Sequence, residues 1–252
     1  MSLFHKHTKY GKVKVSTLIQ EMELRDLDEF LSKEFDDLLY KGKTKDGTSV
    51  KFESIKELLS FPNFSTRKLV ELEISGSKKD ESSINISFEN ERDFIAPESV
   101  NYYLSYNDQN WGFKFEDDLR NQLKDFIPYY NFLTYLNYTI GLPILLLASV
   151  FLYMTLDYFL KEFGLQGYTD MDYSVKSEGS SSFGGFAWII LMVGLTYLLN
   201  LGRNYLFPVL FIAIGKQVKE YNRRKTLSYV FFGVILLGVV VNVISALLLK
   251  SI

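Results

Sequence analysis

The sequence has no cysteine among its 252 residues, and it has only two histidines and five prolines. The absence of cysteine excludes disulfide bonds, thiolate metal ligands and cysteine nucleophiles. The histidines, His5 and His7, are two residues apart and supply at most half of a metal site. Because no further histidine completes such a site, we expect a solvated N-terminal tail and no metal.

Catalytic and phosphate-binding motifs are also missing. The sequence contains no GxGxxG dinucleotide fingerprint, no GxxxxGK[ST] phosphate loop, no HExxH metal motif and no GxSxG nucleophile turn. We therefore do not expect an enzyme, we assign no catalytic or cofactor-binding residue, and we expect no cofactor. A pair of carboxylates on loops is the one catalytic route that the sequence leaves open.

Charge is distributed unevenly along the chain. Residues 1–128 contain 19 of the 28 Lys and Arg and 24 of the 30 Asp and Glu, for a formal charge of −5, whereas residues 129–252 carry +3. The N-terminus has no apolar segment of the kind found in signal peptides. These features predict a cytoplasmic head domain over residues 1–128 and an apolar domain over residues 129–252. Nucleic-acid binding is not expected of an acidic head.

Hydrophobic periodicity in the head predicts alternating strands and helices. An amphipathic helix is expected over residues 26–40, with Asp26 as its cap. Clean alternation in three later segments favours an antiparallel meander. The other predicted elements are strands at 12–19, 49–53, 69–75, 83–89 and 99–107, and helices at 54–60 and 110–127. This order predicts an α+β soluble N-terminal domain, an antiparallel sheet covered by helices.

Aromatic residues concentrate near the end of the head. They could form a surface that binds a nucleobase or a peptide, but aromatics at strand spacing are more often part of a core. We favour the core interpretation. The residues concerned are Tyr102, Tyr103, Tyr106, Trp111 and Phe113.

Three long apolar segments follow, over residues 139–159, 185–201 and 228–249. The third has 22 residues and no charge, and a helix of that length spans about 33 Å, enough for a hydrocarbon core of about 30 Å. We expect an all-α membrane domain with three transmembrane helices. The link over residues 202–227 is basic, which predicts a cytoplasmic N-terminus and a C-terminus outside.

Part of that basic link is apolar. Pro208 interrupts any helix that continues from the second span, and Val209–Ile214 is too short to cross a membrane again. Two interpretations remain open, a kinked extension of the second span and an elbow at the membrane interface. We favour the interfacial elbow.

Tyrosines and basic residues flank the predicted spans. Tyrosine is enriched at membrane interfaces, and lysine and arginine there attract anionic lipid headgroups. The lipid bilayer and its anionic headgroups are therefore expected partners. The predicted interface residues are Tyr129, Tyr130, Tyr135, Tyr138, Lys216, Lys219, Arg223, Arg224 and Lys225.

Small and polar residues in the third predicted span indicate a contact between helices. Asn242 and Ser245 are three residues apart on one helical face, and Gly238 precedes them by one turn. Such residues either pack helices together or line the pore of an oligomer, and we favour packing.

The combined features predict a multi-pass protein of the cell membrane that presents a cytosolic sensing or interaction domain. The alternative is an oligomerising membrane effector or pore-forming protein that the head regulates. A homo-oligomer or a cytosolic protein partner is possible under both hypotheses. A transporter is less well supported, because the sequence has no internal repeat and no charge in the middle of a span.

Overall fold

The computed structural model describes residues 6–79, 81–92, 97–135, 194, 197 and 200–249. Side chains are not described for residues 91, 92 and 97, for several positions between 231 and 240, or for residues 242–249. The chain forms two compact units, residues 1–135 with 205–252, and residues 136–204. In the second unit the described residues, 194, 197 and 200–204, are helical. The functional boundary at residue 128 stays a prediction.

The first unit contains eight described strands and five described α-helices. The strands are β1 (His7–Val13), β2 (Thr17–Ile19), β3 (Asp37–Thr44), β4 (Ser49–Phe52), β5 (Leu69–Ser77), β6 (Ser83–Arg92), β7 (Pro97–Tyr106) and β8 (Leu210–Ile212). The helices are α1 (Glu21–Ser32), α2 (Ile55–Ser60), α3 (Gln109–Lys124), α4 (Asn131–Thr134) and α5 (Gln217–Leu249). A single 3₁₀ turn, Ser65–Arg67, precedes β5.

Six strands form one antiparallel sheet in the order β1-β7-β6-β5-β3-β4. The predicted meander is confirmed, because β5 pairs with β6 and β6 with β7, both antiparallel. In the turn between β3 and β4, Gly47 adopts a φ of +87°, which glycine reaches without strain. The α+β part of the predicted fold is thus consistent with the structure.

The core lies between one face of this sheet and the helices α1 and α3. Alternate residues of β6 and β7 point into it, among them Ile86 and Leu104, and α1 contributes Leu24, Leu27 and Leu31. The aromatic residues divide between core and surface. Tyr102 and Tyr106 are buried and Trp111 packs against the core, whereas Tyr103 and Phe113 are about half exposed.

The predicted helix over residues 26–40 is only partly correct. α1 begins five residues before the predicted cap Asp26 and ends at Ser32, and residues 37–44 form β3 instead. Leu38 fits both periods: it follows Phe35 by three residues, as on a helix, and it alternates with the buried Tyr40, as in a strand. The capping box of α2 is confirmed, since the Ser54 hydroxyl accepts a hydrogen bond from the Glu57 amide at 3.3 Å.

The apolar segment Val209–Ile214 contains a core strand. Its centre, β8, pairs in parallel with β2, so that residues far apart in sequence lie side by side. Leu210, Ile212 and Ile214 enter the main core, while Phe211 and Ala213 pack with Leu18 on the other side. Both faces of the strand are therefore buried, and neither predicted role for this segment, kinked span or interfacial elbow, describes it.

The membrane domain predicted from the sequence is contradicted. Across the described part of the chain, no helix combines the length and the apolar character that a membrane span requires. The third predicted span, residues 228–249, is not a helix of its own: it is the second part of α5, which begins at Gln217 and carries charged residues in its first turns. The first predicted span, and all of the second except residues 194, 197, 200 and 201, lie outside the described residues.

Four expectations fall with that domain. The fold class with three transmembrane helices is wrong, and so is the function as a multi-pass membrane protein with a sensing head. The alternative, an oligomerising membrane effector or pore, rested on the same spans and is withdrawn as well. The predicted location in the cell membrane, with the C-terminus outside, has lost its basis for the same reason.

Candidate functional site

A cleft lined by basic side chains lies where the start of α5 meets the loops around β4 and β5. Its volume is about 450 Å³. We call it the basic cleft. Its lining residues are Lys45, Phe64, Ser65, Lys68, Lys216, Gln217, Lys219, Glu220, Arg223 and Arg224.

The cleft carries a large excess of positive charge. Six of its lining residues are Lys or Arg and one is Glu, an excess of five charges. Glu220 is already engaged by both arginines, at 2.8 Å from Arg223 and 2.9 Å from Arg224. Within the described part of the chain, no carboxylate lies within ion-pair distance of the four lysines. The four lysines are therefore the charges to which a ligand could bind.

Arg224 holds the wall of the cleft in place. Its guanidinium donates a hydrogen bond to the Tyr205 carbonyl at 2.8 Å and lies 4.4 Å from the Tyr205 ring and 5.0 Å from the Phe211 ring. Arg223 donates to the Tyr205 hydroxyl at 2.7 Å. These contacts fix the start of α5 against the segment before β8. The arginines thus have a structural role that the lysines lack.

Lys68 shows the electrostatic cost of this arrangement. Partial burial, together with the positive charges of Arg224 and Lys45, lowers the pKa of the Lys68 ammonium, and the Glu220 carboxylate offsets this only in part. The folded protein therefore favours the uncharged form of Lys68 more than the unfolded chain does. A lysine in a cleft whose pKa is lowered by burial and neighbouring charges is a candidate functional residue.

Backbone contacts bring the lysines together. The Lys45 amide donates to the Lys68 carbonyl at 2.8 Å, which joins the β3–β4 turn to the start of β5. The Lys216 amide donates to the Pro62 carbonyl at 3.1 Å. The Lys216 ammonium lies 4.3 Å from the centre of the exposed Phe64 ring, a cation–π contact.

Asn63 connects the two sides of the cleft. It is fully buried and has a φ of +45°, a conformation that asparagine tolerates better than most residues. Its amide donates to the carbonyls of Ile212 and Ile214, and its side-chain oxygen accepts from the Leu69 amide at 2.7 Å. Gln217 completes the connection by donating to the Asn63 carbonyl at 3.1 Å.

Gly215 allows the close approach of α5 to this loop. Its φ is +54°, and a Cβ at this position would lie 2.5 Å from the Phe61 carbonyl oxygen and 2.9 Å from that of Pro62. Any other residue would push α5 away from the loop that carries Phe64 and Lys68.

Most of the predicted basic interface residues meet in this cleft. Lys216, Lys219, Arg223 and Arg224 line it, and Lys225 lies beside it with its ammonium 6.0 Å from the centre of the Tyr229 ring. Their role at a membrane interface stays a prediction.

The predicted interface tyrosines have different environments. Tyr129 is half exposed and shares a hydrogen bond of 2.7 Å with the Ser228 hydroxyl, whereas Tyr130 is buried against Phe207. Tyr135 donates to the Lys14 carbonyl at 2.5 Å. Tyr138 lies outside the described residues.

The residues predicted to pack helices or line a pore are all in α5. A Cβ at Gly238 would meet nothing within 4 Å among the described atoms. The side chains of Asn242 and Ser245 lie outside the described residues. The packing role therefore stays a prediction, whereas the pore role was withdrawn with the membrane domain.

The sequence analysis missed the half of the cleft that comes from the head. Lys45, Phe64 and Lys68 are isolated residues in loops and at a strand start, so no local pattern marks them. The signal that could have indicated them was indirect: Val209–Ile214, a short apolar run between Pro208 and Gly215, is also typical of a buried strand. That assignment would have placed the basic start of α5 against the head.

A larger concavity, about 590 Å³, lies on the open face of the sheet. Four of its five charged residues form pairs, Lys43 with Glu71 at 2.7 Å and Lys41 with Glu73 at 3.4 Å, and the fifth, Glu89, accepts a hydrogen bond from the Ser87 hydroxyl. Asn85 also donates to Glu73, at 2.6 Å. A surface whose polar groups satisfy one another needs no ligand, so we regard it as a solvated sheet face.

Two buried carboxylates belong to the fold. Burial tends to raise the pKa of Glu116, but hydrogen bonds from Tyr102 and Arg120 hold it below its ordinary value. Hydrogen bonds from Lys12 and Lys14 likewise lower the pKa of Glu98. Both groups are matched by partners. Among the described side chains, no three His, Cys, Asp or Glu lie close enough together to hold a metal ion.

Comparison with known proteins supplies no relative for this chain. No family model, no curated protein and no solved structure matches it. Functional inference therefore depends on the basic cleft itself.

Proposed function

We propose that the protein binds a phosphate-bearing anion in the basic cleft. The observation that carries the proposal is the group of four lysines that face the cleft without a carboxylate partner among the described residues. A cluster of like charges destabilises a folded protein unless a counter-charge is supplied. Phosphate is a suitable counter-charge, because hydrogen bonds from ammonium groups to its oxygens are charge-assisted and stronger than neutral ones.

The arginines and the lysines of the cleft have different roles in the proposed binding. The arginines are immobilised by Glu220 and Tyr205, so they keep the start of α5 in place and add a fixed positive potential. The lysines have flexible stems and three donors each, so they can close around phosphate oxygens. A bound phosphate raises the pKa of Lys68 toward its ordinary value, because it cancels the repulsion from Lys45 and Arg224.

Free phosphate compounds and anionic lipid headgroups offer the same chemistry to this cleft. The excess of cationic side chains in the lining favours either of these anions over a neutral sugar or a peptide backbone. The expectations that the protein is not an enzyme, and that it has a protein partner or forms a homo-oligomer, stay predictions.

The test is calorimetric titration of the full chain with inorganic phosphate and with tripolyphosphate at low ionic strength. Tripolyphosphate should bind more tightly, because it meets more of the five excess charges. The double variant Lys68→Gln, Lys219→Gln should weaken binding by about a hundredfold or more, since each of the two charge-assisted hydrogen bonds contributes about 1.5–3 kcal/mol and about 1.4 kcal/mol is a factor of ten.

The matched control is Lys114→Gln. Lys114 is an exposed lysine on α3, which contributes no residue to the cleft. Its replacement removes one charge of the same sign and should leave binding unchanged. Equal losses in the control and the cleft variants would show that binding is non-specific, and the proposal would then be wrong.

A further inference from the structure

α5 changes character sharply after the basic cleft. Beyond Ser228, none of its described exposed residues is charged. Val230, Val234 and Leu237 are 58%, 65% and 64% exposed, and Leu227 and Val241 extend the series in both directions. Their spacings of three and four residues place them on one face of the helix. We call these five residues the apolar stripe; at 1.5 Å per residue it is about 21 Å long.

Aromatic side chains mark the junction between the cleft and the stripe. The Tyr129 and Tyr229 rings lie 5.9 Å apart, and both are about half exposed. The Tyr129 hydroxyl shares a hydrogen bond with Ser228, so the polar end of the ring is fixed at the start of the stripe. Phe132, three residues after Tyr129 in the chain, is 67% exposed.

The order of these groups along α5 is basic, then aromatic, then apolar. The same order is met on entering a lipid monolayer, from the phosphates through the interfacial zone to the acyl chains. A second copy of the chain is a less suitable occupant, because a coiled-coil seam needs charged or polar residues beside it to set partner and register. The described positions beside the stripe include Gly233 and Gly238, which offer neither.

We infer that the phosphate-bearing ligand of the basic cleft is the headgroup of an anionic lipid, and that the apolar stripe contacts the acyl region of the same lipid surface. This inference rests on the proposed function and adds the source of the phosphate. It requires no helix to cross the bilayer, since the apolar stripe, about 21 Å long, is shorter than the hydrocarbon core of about 30 Å.

The experiment is flotation of the full chain with vesicles of phosphatidylcholine alone and of phosphatidylcholine mixed with phosphatidylglycerol. We expect binding to the mixed vesicles and much weaker binding to phosphatidylcholine alone. Each cleft lysine replaced by glutamine should weaken this binding about fivefold at low salt. The double variant Val234→Gln, Leu237→Gln should weaken it at least tenfold.

The stripe variant should leave tripolyphosphate binding intact, which shows that it is folded. Leu39→Gln is the matched control, because Leu39 is an exposed leucine on β3 that is not part of the stripe. It should change neither vesicle binding nor tripolyphosphate binding.

Four outcomes separate the two proposals. Vesicle binding that needs both the cleft and the stripe supports the lipid inference. Tripolyphosphate binding without vesicle binding overturns the lipid inference and leaves the proposed function standing. If the full chain binds neither tripolyphosphate nor vesicles, the lipid inference and the proposed function are both wrong. If the stripe variant instead converts an oligomer to a monomer, with vesicle binding unchanged, the stripe is an interface between copies and the lipid inference is wrong.

Discussion

Replacing Asn63 by alanine should destabilise the first compact unit strongly. The substitution leaves the Leu69 amide without its acceptor at 2.7 Å and the Ile212 carbonyl without its donor at 3.1 Å. The Ile214 carbonyl loses one donor but keeps the Gln217 amide at 3.1 Å. Two buried backbone groups are therefore orphaned, at a cost of about 1–3 kcal/mol each.

The backbone conformation adds a smaller cost. At a φ of +45°, alanine lacks the local hydrogen bonds that make this region accessible to asparagine, and it is less favourable by about 1 kcal/mol. Water that enters the vacated space can satisfy part of the orphaned groups, so the lower half of the range is the better guide. The expected total is about 3–5 kcal/mol of unfolding free energy.

Urea unfolding followed by tryptophan fluorescence measures this change, because Trp111 packs against the core of the same unit. Asn121→Ala is the matched control, since Asn121 is exposed on α3, and it should cost less than about 0.5 kcal/mol. Asn63→Gly separates the two contributions, because glycine relieves the backbone but not the hydrogen bonds. A loss below about 1 kcal/mol for Asn63→Ala would refute the role assigned to these bonds.

Three further results are expected. Lys68→Met should raise the unfolding midpoint while weakening tripolyphosphate binding, because the lowered pKa of Lys68 means that its charge opposes folding; a lower midpoint in differential scanning calorimetry would contradict this. Lys12 and Lys14 lower the pKa of Glu98, so the stability that Glu98 contributes is present above the ordinary Glu pKa and is lost as the pH falls through the lowered value. Glu98→Gln should therefore make the urea unfolding midpoint less dependent on pH across that acidic range. Gly215→Ala should cost at least about 2 kcal/mol in urea unfolding, through its φ and its clash with Phe61, and an unchanged midpoint would contradict the close approach.

Sequence patterns predicted the elements whose structure is decided locally. Three kinds of pattern depend only on neighbours within a few residues: the alternating apolar residues of β5, β6 and β7, the capping box at Ser54, and the apolar face of α3. β3 was missed because Leu38, three residues after Phe35, continues the helical spacing although it also alternates with Tyr40 in the strand. What decided between the two was pairing with β5, about thirty residues away in sequence.

The larger errors have a different cause. The hydropathy of a segment indicates that it is shielded from water, but it does not distinguish burial in a protein core from burial in lipid. Val209–Ile214 is apolar on both faces because one face packs in the main core and the other against Leu18. A parallel strand buried on both faces therefore has the same composition as a short piece of membrane-directed chain. The pairing with β2 that settles its place joins residues about 190 positions apart, and no local pattern encodes it.

The same pairing explains why half of the basic cleft was found and half was not. Lys216 directly precedes α5, and Lys219 and Arg223 lie in its first turns, so their charge density is visible in the sequence. Lys45 and Lys68 acquire a role only when β8 holds the start of α5 against their loops through Asn63. Any substitution that releases β8 should then abolish phosphate binding without touching a lysine, since the two halves of the cleft would separate. Binding and the docking of β8 are therefore coupled, and tripolyphosphate should protect the first unit against unfolding by an amount that grows with the logarithm of its concentration relative to its Kd.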